Sequence, residues 1–190
     1  MSIFALLVCG PTRSTLGLGK PLRRPDGTIA TFAHRSAEAS DATFARALWK
    51  FLDGCAAGDL RLCLSGDADF DDVAGYPEVG GEPEDGGTPF DVYLAGDPEE
   101  PVTYYAKLRP GYPRADPSGI VRRRHRGPAT VDEAFTRSLR WEPTEYLNRH
   151  ALGLDDTDHV EITEAEAVDF ALRALASRLR PQAPVTGQFR

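Results

Sequence analysis

Between residues 90 and 135 the chain falls into four short strand-like runs with no helical stretch between them. Phe90, Val92 and Leu94 alternate with polar or small residues, as do Val102, Tyr104, Ala106 and Leu108, which is the side-chain period of a strand with one buried face. Gly96-Asp97-Pro98 between them predicts a hairpin with a longer loop. The runs 120–126 and 131–135 read as a second strand pair. A doubly wound parallel sheet needs a helix after each strand, so this region excludes it. Further strands are predicted over 3–9, 27–33, 60–64 and 159–162.

Helical spacing occurs elsewhere. Phe44, Leu48, Phe51 and Leu52 repeat at helical intervals beside Trp49, after a start at Ser40-Asp41 and before a stop at Gly54. A short helix is predicted around Tyr146 and Leu147, with Pro143 near its start and Gly153 at its end. Thr163 and Glu166 have capping-box spacing ahead of a stripe formed by Val168, Ala171, Leu172, Leu175 and Leu179, and Pro181 ends that helix. The expected fold class is α+β: an antiparallel or mixed sheet with about three helices packed mainly on one face. At 190 residues and 41% hydrophobic composition, one domain over 1–180 with a polar tail at 181–190 is expected. Residues 66–89 are rich in Asp, Glu, Gly and Pro and read as a long mobile acidic loop.

Charge narrows the partner class. The net charge of −7 disfavours bulk nucleic-acid binding, which needs a basic surface. Residues 51–100 carry fourteen acidic groups and one basic one. Such a field speeds encounter with a positive surface. The first functional expectation is therefore a non-catalytic binding protein, an inhibitor, immunity-type protein or regulatory accessory, that meets a basic protein partner through its 67–100 segment. Asp67, Asp69, Asp71, Asp72, Glu78, Glu82, Glu84 and Asp85 are its candidate contact residues. The competing expectation is a small enzyme on an anionic substrate, with Arg122, Arg124 and Arg126 on one strand face as the anion site and Cys9, His34 or His125 as nucleophile or base.

The remaining motifs are incomplete. Residues 9–21 approximate a phosphate loop, but Ser14 and Pro21 stand where a Walker A loop needs Gly and a hydroxyl residue, so a plain Gly-rich connection is expected. Asp67, Asp69, Asp71 and Glu78 match oxygen-ligand spacing of an EF-hand loop, yet Asp72 replaces the turn Gly and Pro77 denies an exiting helix. The four histidines form no ligand pair, and neither metal nor cofactor is expected. Glu164-x-Glu166 resembles the paired glutamates of ADP-ribosyltransferases over three residues, and the capping box already accounts for Glu166. Three cysteines without a CxxC pair leave at least one thiol free and fit a reducing cytoplasm. No run of eighteen apolar residues exists to span a bilayer, so no membrane association is expected.

Overall fold

A computed structural model of the protein describes residues 4–34, 41–109 and 113–179. Ser40, the stop at Pro181 and the tail 181–190 lie outside the described residues. The apolar run at the amino end forms β1 (Ala5–Cys9), which lies between β2 (Ser14–Arg23) and β4 (Leu60–Leu64), both antiparallel to it. β3 (Ile29–Ala33) extends this sheet beyond β2, and the two-residue β5 (Glu78–Val79) pairs with β2 in parallel. The second sheet is antiparallel throughout: β6 (Val102–Leu108), β7 (Gly119–Arg126), β8 (Ala129–Phe135), β9 (Trp141–Pro143) and β10 (Asp158–Ile162), in the order β10-β6-β7-β8-β9.

The helices lie on both sides of the sheets. α1 (Asp41–Gly54) and α5 (Glu164–Arg178) pack on each other, and α5 also meets β3 and β6. They share one core with both sheets, including Leu7, Leu16, Leu48, Trp49, Ile120 and Leu172. α2 (Phe70–Ala74) sets Val73 against Val8 and Cys63 on the other face of the first sheet. α4 (Tyr146–Ala151) likewise sets Tyr146 and Leu147 against Val121 on the other face of the second. The α+β class therefore holds, whereas helices mainly on one face of a single sheet do not. Because successive strand residues point to opposite faces, Leu7 and Val8 can anchor two different layers.

Three local expectations are corrected. The Gly-rich connection expected over 9–21 is confined to residues 10–13, and from Ser14 the chain forms the ten-residue strand β2. Its bend is at Gly19, whose φ is +81° and where a Cβ would stand 2.2 Å from the Ala33 carbonyl oxygen, so only glycine fits the bulge. The stretch 66–89 is built rather than structureless: α2, β5 and a 3₁₀ turn at Pro83–Asp85 occupy it. Residues 90–93 form α3 (Phe90–Tyr93), packed on α1, so the expected hairpin with 102–108 is absent and β6 pairs with β7 and β10 instead. The capping box at Thr163 and Glu166 is formed in both directions.

Candidate functional site

A two-residue connection at Gly127-Pro128 sets the β7–β8 register, placing Arg122 opposite Glu133 and Arg123 opposite Asp132. Arg122, Arg124 and Arg126 all line a cleft of about 880 Å³ bounded by α1, the 94–100 connection, β6 and the start of α5. Arg123 points the other way and grips Asp132 through two 2.7 Å bonds.

The arginines in the cleft are internally answered. Arg122, 6% exposed, donates from Nε to Glu133 at 2.7 Å and stacks its guanidinium 4.5 Å from the centre of a Trp141 ring. Arg124 donates twice to Glu133, each at 2.9 Å, and reaches Glu100 at 3.5 Å. Arg126 donates to Glu100 at 2.8 Å. Burial alone would raise the Glu133 pKa, but Arg122 and Arg124 outweigh it and hold that carboxyl below its ordinary value. Burial pulls the Arg122 pKa down against the same attraction. Asp53 lies 3.9 Å from Arg122, beyond hydrogen-bond reach, and burial raises its pKa despite that cation. Two further pairs guard the rim, Arg46 with Glu99 at 2.7 Å and Lys50 with Asp97 at 2.9 Å.

The expected anion site is thus assembled on one face, but its cations already hold carboxylates. Its expected catalytic companions are elsewhere. Cys9 is bonded to Cys55 in a disulfide, which removes it as a nucleophile. Cys63 is the free thiol, buried, with its pKa pushed up to about 11 by burial, so it remains protonated and unreactive at neutral pH. His34 stacks on Phe44 and lines a separate pocket of about 380 Å³ with Glu78; burial lowers its pKa. His125 lies on the face of β7 opposite the arginines.

The acidic candidates also divide. Asp67 accepts the Leu64 N–H, and Asp69 pairs with Arg61 at 2.7 Å. Glu78 is an exposed residue as a whole, but its carboxyl folds over Gly17, 2.6 Å from where a Cβ would stand there, and burial of that end raises its pKa. These positions diverge from an EF-hand loop, and among the described residues no group of three or more His, Cys, Asp or Glu is placed to hold a metal ion. Asp71, Asp72, Glu82, Glu84 and Asp85 are exposed and have no side-chain hydrogen bond or ion pair among the described residues. Asp97, Glu99 and Glu100, at the far end of the same acidic half, turn into the cleft instead.

Sequence reasoning missed Glu133, Glu100 and Asp53 as partners of the arginines. The Gly127-Pro128 turn carried the signal for Glu133, because a two-residue connection fixes cross-strand neighbours. Nothing local pointed to Glu100 or Asp53. What fold and site define together is a two-sheet α+β protein with a polar cleft on one side and an unanswered acidic segment on another. No protein-family model, no curated protein and no solved structure matches this chain.

Proposed function

We propose that the protein is a binding protein that docks a basic protein partner on the surface formed by α2 and the 80–87 turn. One observation carries this reading: Asp71, Asp72, Glu82, Glu84 and Asp85 project from ordered backbone without a countercharge among the described residues. The backbone that presents them is tied down. Gly80 N–H donates to Thr88 O at 2.7 Å, Thr88 N–H to Glu78 O at 2.8 Å, and Gly87 N–H to Glu82 O at 2.9 Å. Gly81 and Gly87 approach so closely that a Cβ on Gly87 would stand 2.5 Å from Gly81 carbon. A preordered acidic surface loses little conformational entropy on docking. The contact set narrows from the whole 67–100 segment to these five residues, since Asp67 and Asp69 have internal partners and Glu78 folds inward.

An inhibitor, immunity-type or accessory role fits such a surface, and the cytoplasm remains the proposed compartment. No helix among the described residues is long and apolar enough to cross a membrane. The Cys9–Cys55 bond bears on the compartment, because disulfides are rare in reducing cytoplasm. Counting thiols in protein drawn from native cells tests it: three free thiols fit the cytoplasm, and one places the chain in an oxidising compartment.

The direct test is capture from native lysate on immobilised protein, eluted by rising salt, beside a variant carrying D71N, D72N, E82Q, E84Q and D85N. A basic protein released by moderate salt from the parent and not retained by the variant supports the proposal. Identical capture and salt profiles for both would sink it.

A further inference from the structure

The edges of the two sheets are not equally closed. An open edge presents unpaired N–H and C=O groups that accept a further strand. At β4 the N–H groups of Leu60 and Leu64 are taken by Ala57 O and by Asp67, and α5 packs on β3. β9 is three residues long and ends in Pro143, which has no N–H to offer. β10 differs from all of these. It has five residues, is bonded to β6 on one side, and has no strand on its other side among the described residues.

The register shows which backbone groups of β10 point outward. His125 N–H donates to Pro101 O at 3.0 Å at the start of the β6–β7 ladder, so the odd-numbered residues of β6 turn their backbone toward β7. The even-numbered ones, Tyr104, Ala106 and Leu108, turn toward β10, where they stand opposite Ile162, Val160 and Asp158. His159 and Glu161 therefore direct their N–H and C=O groups away from the sheet, and these groups have no partner among the described residues. Their side chains fall together on the face that carries α4, where the His159 ring meets Tyr146 and His150.

An identical strand laid antiparallel along this edge can oppose these residues in three registers. One sets His159 against His159 and another sets Glu161 against Glu161, so both oppose like groups. The third turns about Val160: it sets His159 against Glu161 of the second copy twice, makes four backbone hydrogen bonds, and leaves Asp158 facing Ile162 rather than another acid. Val160, half-buried against the main core, then meets its own counterpart on the two-fold axis. The His150 and His159 rings, 4.5 Å apart, bring the end of α4 over β10, and Leu152 and Leu154 just beyond it are 66% and 63% exposed. An axis normal to the sheet keeps both α4 helices on one face and brings a second pair of exposed leucines to it. We propose that β10 pairs antiparallel with β10 of a second copy of this chain, centred on Val160, and joins the two five-stranded sheets into one. This edge is separate from the acidic docking surface, and neither reading depends on the other.

The test is sedimentation of the full chain at concentrations up to about 0.5 mM, since so short a contact belongs to the small, weak class of interface. A mass that rises from 20.7 kDa toward twice that value, and falls again on dilution, is expected. E161K sets a cation against His159 of the second copy, and E161P removes an outward N–H that the ladder to β6 does not use. Each should weaken association at least about tenfold, while circular dichroism checks that the variant is folded. Oxidation should link V160C into a covalent dimer, because the residue on the axis meets itself with Cα atoms about 4.5 Å apart, within disulfide reach. D158C, facing Ile162, should not link. A monomer at every concentration, unchanged association in folded E161K or E161P, or cross-linking of D158C as fast as that of V160C would overturn the proposal.

Discussion

The arginine strand β7 and the acidic segment 71–85 are both runs of like charge, yet the structure treats them oppositely. Arg122, Arg123 and Arg124 are answered within a few ångströms by Glu133 and Asp132 on the neighbouring strand and by Glu100. Asp71, Asp72, Glu82, Glu84 and Asp85 are answered by nothing among the described residues. The cause is topological. An antiparallel neighbour places one side chain directly opposite each residue, so a strand of cations can be matched residue for residue. A short helix and a turn at the margin of a sheet have no such neighbour, and their charges face solvent. A charge run therefore indicates a partner only where the fold has not supplied one.

The largest expected effect comes from breaking the matched side. Glu133→Ala strands the buried Arg122 guanidinium and leaves the half-buried Arg124 with only Glu100, and should cost about 3–5 kcal/mol of stability, read as a lowered urea midpoint. Stability unchanged within error would show that Glu100 and Asp53 suffice for Arg122 and Arg124.

Next is the covalent link between the two regions. The Cys9–Cys55 bond, spanning 46 residues, ties β1 of the sheet bearing the acidic segment to the end of α1, which walls the cleft. Closing a loop of that size contributes about 2–4 kcal/mol, so the C9A/C55A variant should be destabilised by that amount under oxidising conditions and should match the reduced parent.

Acid titration separates the carboxylates of the cleft by sign. Glu133 is held below its ordinary value by Arg122 and Arg124 in spite of burial, so the stability it lends is complete above the unfolded carboxylate value, about 4.3, and is lost as pH falls through its lower folded value. Asp53 and Glu164, raised by burial, act in the opposite sense: their contribution is present below the unfolded value and is lost as pH rises through the folded one. Denaturant midpoints of the parent against E133Q from neutral pH down to about 3 should converge on the acid side. A gap that stays constant across that range would contradict the pairing.

The smallest effect on stability is expected on the unmatched side. Replacing Asp71, Asp72, Glu82, Glu84 and Asp85 by their amides should shift stability by no more than about 0.5 kcal/mol per site, because each is exposed and unpaired. A larger loss would mean that these carboxylates hold the fold rather than await a partner.

How far each region was legible follows from the same distinction between local and distant neighbours. β1, α1, β4, β7, β8, β10 and α5 stand where periodicity and capping residues place them. α3 was misread because four residues, Phe90 to Tyr93, satisfy both a strand alternation and a single helical turn, and length could not arbitrate. β2 was misread because its Gly and Pro residues look like loop punctuation. A bulge at Gly19 makes them compatible with a strand. α2 needed the apolar patch formed by Val8 and Cys63 from two other strands, which no local window contains.

Local pattern by itself determined the α+β class, the alternation that puts Arg122, Arg124 and Arg126 on one face, the capping box at Thr163, and the concentration of acid in one quarter of the chain. Tertiary structure alone decided that Cys9 meets Cys55, that Glu100 and Asp53 arrive beside the arginines, and that Trp49, Tyr104 and Glu164 share a cleft wall. Backbone sterics and side-chain period act over a few residues and leave their mark in any short window of sequence. Whether a charge or a thiol finds its counterpart depends on packing between elements dozens of residues apart, where the low-dielectric interior makes a matched group stabilising and an unmatched one costly.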